Sequence, residues 1–164
     1  MPITIVVEDG TGKTNATSYV SVAEFEAYWT ARGVDYTTTP SDDTIAIWLN
    51  NATAYADSFY KWGGIIATDA QALSIPRVNW YDKDGRRLDM IVPSFIKNGI
   101  CELAAIRQSD NFETTTSEGV KSESYGPVSV TYTSDSGSAK VTYTTAMSWF
   151  KRGLAPVGLR AIPT

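Results

Sequence analysis

Residues 18–33, SYVSVAEFEAYWTARG, contain a complete helix start and stop. Ser21 is placed to cap the helix, and Glu24 completes a capping box by reaching back to the cap residue. Val20 before the cap and Phe25 at the fourth helical position form a hydrophobic staple, and Gly33 supplies the left-handed residue on which such helices end. The expected helix runs from about residue 22 to 32. None of its side chains is chemically reactive, so it reads as scaffold.

Working outward, residues 3–8 (ITIVVE) are rich in β-branched side chains and bounded by Asp9-Gly10, an extended segment that needs a pairing partner. A second helix is expected from Ser41 or Asp42 to about Lys61, with two acids at its start and Gly63-Gly64 beyond its end. Its apolar stripe is Ile45, Trp48, Ala52, Tyr55 and Phe59. Residues 65–92 lack helical periodicity and read as a long structured connection with a tight turn at Asp82-Lys83-Asp84-Gly85. A third helix, from Pro93 or Ser94 to about Gln108, buries Ile96, Ile100, Leu103 and Ile106. Cys101 on this helix is expected in the core. Beyond it, residues 109–119 turn polar and mark a hinge. Residues 120–125 and 128–133 flank Gly126-Pro127 as a β-hairpin, a unit too small to be stable alone. A flexible SDSGSA stretch, a short helix near residues 145–152, and an arm containing Pro156, Gly158 and Pro163 complete the chain.

Composition narrows the function. The 164 residues are enough for one domain with a real core, and 43% hydrophobic content with five Trp, nine Tyr and five Phe supplies the material. The net charge of −4 argues against a surface built to neutralise nucleic-acid phosphates. Charge is unevenly placed, however: residues 1–64 hold eight acids against Lys13, Arg32 and Lys61, whereas residues 141–164 hold Lys151, Arg152 and Arg160 and no acid. There is no histidine and one cysteine, which removes histidine-dependent nucleophiles, histidine-bearing metal sites, thiolate clusters and intramolecular disulfides. No apolar run approaches a membrane span, the N-terminus does not read as a signal peptide, and synthesis in the cytoplasm is expected.

The remaining motifs have plain readings. Glu24 caps a helix, Asp42 and Asp43 sit at a helix start, and Asp82 and Asp84 shape a turn, so each carboxylate pair has a simpler reading than the acid and base of a hydrolase. Gly10-Thr-Gly-Lys-Thr14 resembles a phosphate-binding loop, but the glycine required five residues before Gly12 is Val7, and a glycine-rich turn after a strand accounts for it. Tryptophans can stack on the bases of a single strand; Trp29, Trp48 and Trp149 fall within expected helices, while Trp62 and Trp80 read as freer. The bases beside them are balanced by Asp69, Asp82, Asp84 and Asp89.

Five fragments in order, VEDGTG, SYVSVAEFEAYWTARG, AYADSFYKWGG, QALSIPRVNWYDKDGR and VKSESYGPVSVTYT, resemble the head-tail adaptor proteins of tailed bacteriophages, also called head completion or neck connector proteins. One departure is Ile75, where the family often carries Trp. The resemblance implies a mainly α fold: a small helical bundle with a protruding β-hairpin and an extended C-terminal arm. Residues 1–108 would form the core with its N-terminal extended segment, 109–140 the hinge and hairpin, and 141–164 the short helix and arm. It further implies a non-enzymatic virion protein at the neck, without cofactor or metal, that forms a homo-oligomeric, dodecameric ring beneath the portal protein. The genomic DNA would pass through that ring without sequence-specific contact, and the next neck or tail component would dock on it. Similar proteins also carry a DnaT-like label, so the alternative is a single-stranded DNA-binding protein of phage replication. The expected assembly interface comprises Tyr125, Gly126, Pro127 and Val128 of the hairpin, Trp80, Tyr81, Arg86 and Arg87 of the long loop, and Lys151, Arg152 and Arg160 of the arm.

Overall fold

The structure, a computed structural model, describes residues 3–108, 122–125, 128–132 and 139–154. Helix α1 (Val22–Thr30) begins as its sequence dictates: Glu24 N donates to Ser21 Oγ at 3.2 Å, and Ser21 N donates to Glu24 Oε2 at 2.8 Å. Val20 and Phe25 are both fully buried, and Gly33 takes the left-handed conformation (φ 78°) just past the helix. The extended segment at residues 3–8 finds its partner in residues 17–18, with Glu8 N donating to Ser18 O and Thr17 N to Val6 O.

Helix α2 (Asp42–Phe59) starts with two acids that favour the positive end of the helix dipole. Ile45, Trp48, Leu49, Ala52 and Ala56 face the core. Phe59, expected on that stripe, is instead 66% exposed and stacked on Tyr55. The reason is that the chain turns extended at Tyr60, which sends Trp62 rather than Phe59 inward. Helix α3 (Ser94–Ile106) has Pro93 as its cap residue and buries Ile96, Ile100, Leu103 and Ile106 as its periodicity requires, with Cys101 also in the core. Burial pushes the Cys101 thiol up to about 12, so it packs rather than reacts.

Between α2 and α3 the chain forms a two-residue ribbon, β1 (Ile65–Ile66) against β2 (Arg77–Val78), and then a tight loop to residue 90. Helix α4 (Thr144–Phe150) packs against α3, the Phe150 ring seated on Gly99 so closely that a methyl group there would collide with it. The hairpin is present as β3 (Ser122–Tyr125) and β4 (Val128–Tyr132), but a third strand, β5 (Ala139–Tyr143), extends it to the antiparallel order β3-β4-β5. The polar run before β5 concealed that strand, because five residues between a polar tract and a helix show their pairing only once β4 is alongside. The molecule is a small, mainly helical domain. The hinge at 109–119, Gly126, Pro127 and the arm beyond Leu154 lie outside the described residues.

Candidate functional site

The site is built on the long connection. Asp57, on the last turns of α2, accepts hydrogen bonds from Tyr19 Oη (2.8 and 2.9 Å), Ser74 N (2.9 Å) and Trp62 Nε1 (3.4 Å), while Tyr19 Oη accepts from Ile75 N (3.1 Å). Burial holds the Asp57 carboxyl above its ordinary range, against the pull of the donors from Ser74, Tyr19 and Trp62. Burial and the adjacent Asp57 together keep the Tyr19 phenol protonated. This network pins Ser74 and Ile75 to α2. Arg77 then reaches back to the carbonyls of Gly63 (2.6 Å), Gly64 (3.0 Å) and Ser74 (3.1 Å), which fixes where the following loop emerges.

That loop carries its own charge balance. Asp82 accepts from the backbone N–H groups of Asp84 (2.9 Å) and Arg86 (2.8 Å) and from Arg86 Nε (2.8 Å). Lys83 pairs with Asp84 at 2.6 Å, and Arg87 with Asp89 at 2.7 Å. Asp89 also accepts from Trp80 N at 2.9 Å. Although desolvation opposes it, the Arg86 and Asp84 backbone donors hold Asp82 below the usual carboxylate range; the Lys83 ammonium does the same for Asp84, and the Trp80 N–H for Asp89. Three cations thus meet three anions on a single turn.

Trp80 is fully buried and Trp62 nearly so, which corrects the expectation that both are free to stack on a ligand. Trp80 packs edge-on against Phe95 and donates from Nε1 to Gly153 O at 2.9 Å; Gly63 N donates to the same carbonyl at 3.0 Å. Lys83 N donates to Arg152 O, and Leu154 bridges Trp62. These bonds clamp the loop, the end of α2 and the root of the C-terminal arm into one unit. Between them lies a cleft of about 640 Å³ lined by Gly64, Trp80, Tyr81, Lys83, Lys151 and Arg152, among others. Tyr81 is 55% exposed at its edge, and the Arg152 guanidinium lies 5.5 Å from the Phe95 ring centre with its Nε buried and unpartnered.

The structure therefore brings two of the three expected interface regions together: Trp80 and Tyr81 with Lys151 and Arg152. Arg86 and Arg87 share the loop but are tied to Asp82 and Asp89. Tyr125 and Val128 pair with each other, and Val128 pairs with Tyr143, which is buried in the core. That rung is thus the end of the sheet nearest the body, and the Tyr132↔Ala139 rung, about 13 Å further along, is the distal one. The sheet joins the start of α4 and the cleft lies at its end, about 10 Å apart along the helix. Gly126, Pro127 and Arg160 fall outside the described residues.

Sequence reasoning missed Asp57 and Glu8. The glycine-rich turn at residues 10–13 wraps its backbone N–H groups around the fully buried Glu8 carboxylate: Gly10 and Gly12 at 2.9 Å and Lys13 at 2.8 Å. The loop that resembles a phosphate cradle is filled by the chain's own anion. A Glu directly before Asp-Gly in an otherwise apolar segment was the available signal. Among the described residues no cluster of acids or cysteine could hold a metal ion, and no helix is long and apolar enough to cross a membrane.

Fold and site together define a small helical domain with a short antiparallel sheet and a clamped loop-and-arm cleft. The family model described as "Putative DnaT-like ssDNA binding protein" matches residues 3–161, so the chain belongs to that family. No curated protein and no solved structure matches it.

Proposed function

We propose that the chain is a non-enzymatic structural subunit of a tailed-phage neck, assembling as a ring beneath the portal protein and giving the next neck or tail component its docking surface. The single observation that carries this reading over strand binding is the state of the long loop. Its three cations are each engaged by a carboxylate of the same turn, and its tryptophan is committed to the core. A strand-binding groove needs the opposite, free cations tracking the backbone and aromatic faces open to the bases. What the loop does instead is fix the root of the C-terminal arm, as a subunit that presents an arm to neighbours requires. An acidic protein also surrounds DNA without gripping it, because like charge discourages phosphate contacts.

The second reading, binding of single-stranded DNA, is favoured by the family description and by exposed Tyr81 beside Lys151 and Arg152. Anisotropy of a labelled oligonucleotide at about 50 and about 500 mM salt separates the two. The adaptor reading expects weak binding at both, together with rings seen by electron microscopy when portal protein is added. Tight binding that collapses with salt, with no ring on the portal, would establish strand binding instead.

A further inference from the structure

Among the described charges that lack an ion pair, one group lies at each end of α2. At its start are Asp35, Asp42 and Asp43, none in an ion pair among the described residues; Asp35 is held by Thr37, and Asp43 accepts from Ile3 N at 2.8 Å. Arg32, the nearest cation in sequence, is turned onto the Tyr28 ring at 3.4 Å. This end is fixed on the body by Tyr36, which meets Trp48 edge-on and reaches Gln108 beyond the end of α3. The chain continuing from there adds Asp110, Glu113 and Glu118 in sequence. At the other end of α2, about 27 Å away, the chain passes through exposed Lys61 into the cleft with Lys151 and Arg152. These three cations have no carboxylate partner among the described residues, in contrast to Lys83, Arg86 and Arg87 beside them. The segment after Leu154 carries Arg160 and no acid.

We propose that the cleft receives a second copy of this chain, Lys61, Lys151 and Arg152 of one subunit engaging Asp35, Asp42 and Asp43 of the next. Charge complementarity is the argument: the two groups have opposite sign, make no ion pair among the described residues, and sit at opposite ends of one helix. Such surfaces cannot meet within one molecule. Head-to-tail pairing of unlike faces is a heterologous contact, which closes into a ring or propagates as a filament. Charges at the rim of such a contact set its register and on-rate. Arg152 Nε, buried without a partner, gains an acceptor when a carboxylate enters. This inference rests on the ring reading and identifies the contact it uses.

The test uses the full chain in an equal mixture of natural and ¹⁵N-labelled protein, cross-linked with a carbodiimide that joins an amine directly to a carboxylate. Expected at about 50 mM salt are mixed-isotope links from Lys61 or Lys151 to Asp35, Asp42 or Asp43, which disappear at about 500 mM as the charges are screened. In sedimentation velocity, K151E/R152E and D42K/D43K each weaken self-association by about tenfold or more, and an equimolar mixture of the two variants recovers it. A chain that sediments as a monomer at low salt and gives only intramolecular links overturns the contact. So do variants that associate like the parent. If both variants still form rings on the portal, this contact is wrong while the ring reading stands; failure of the ring reading appears instead as tight, salt-sensitive oligonucleotide binding without rings.

Discussion

Asp57 is the residue on which the loop's position depends, and its surroundings are all donors: a phenol, a backbone N–H and an indole N–H. Asp57→Asn turns one acceptor into an NH₂ that faces another donor, leaving buried groups unpaired at a cost of roughly 1–3 kcal/mol. The pH dependence has a definite sign. Because the folded-state carboxyl titrates above its ordinary value, the folded state retains a proton that the unfolded chain has already released, so the Asp57 contribution falls as pH rises through the window just above the ordinary aspartate range. Asp82, Asp84, Asp89 and Glu24 act oppositely: their stabilisation is present above the ordinary carboxylate range and is lost as pH falls toward their depressed values. Thermal unfolding followed from about pH 3 to 7 should therefore show a lower melting temperature for Asp57→Asn. The gap between parent and variant should narrow as pH rises through the upper window, because only the parent carries the Asp57 titration. Parallel profiles would mean that Asp57 titrates normally. Neither this network nor the Glu8 staple was legible in sequence, since both depend on donors brought in from residues that no local pattern links to the acid.

At the scale of elements, local signals worked where the stabilising partners are close in the chain. The capping box of α1 joins Ser21 to Glu24, and the α3 stripe recurs every three or four residues, so each is complete within one helix. They failed where the partner is remote: Phe59 lost its core place to Trp62 when the chain turned at Tyr60, Trp80 became core through Gly153, and β5 exists because β4 offers it a ladder. Gly99 is the sharpest test of element packing. Gly99→Ala puts a methyl against the Phe150 ring and should cost about 1–3 kcal/mol by overpacking the α3–α4 contact, read as a lower midpoint in urea unfolding. An unchanged midpoint would show that Phe150 moves aside freely. Since α4 leads directly into Gly153, the same variant should also loosen the arm root, visible as faster proteolysis near Lys151.

For the whole molecule, the prediction concerns assembly. Deleting residues 119–133 removes β3 and β4 but leaves Tyr143, Ala146 and Phe150 with their core, so circular dichroism should report a folded helical chain that does not enter rings on the portal. Rings formed by the shortened chain would exclude the hairpin from the interface. The sequence alone determined the helices, the apolar faces that join them, the absence of histidine and the excess of acid, because these are properties of neighbouring residues or of composition. Only the tertiary structure decided which tryptophans stay inside, which cations are already spoken for by acids of the same turn, and that acids without an ion pair lie at the start of α2 and such cations at its end. Charge in a sequence is a sum, whereas an unpaired charge is a matter of position, and position is set by the packing of Trp80, Asp57 and Gly153, residues far apart along the chain.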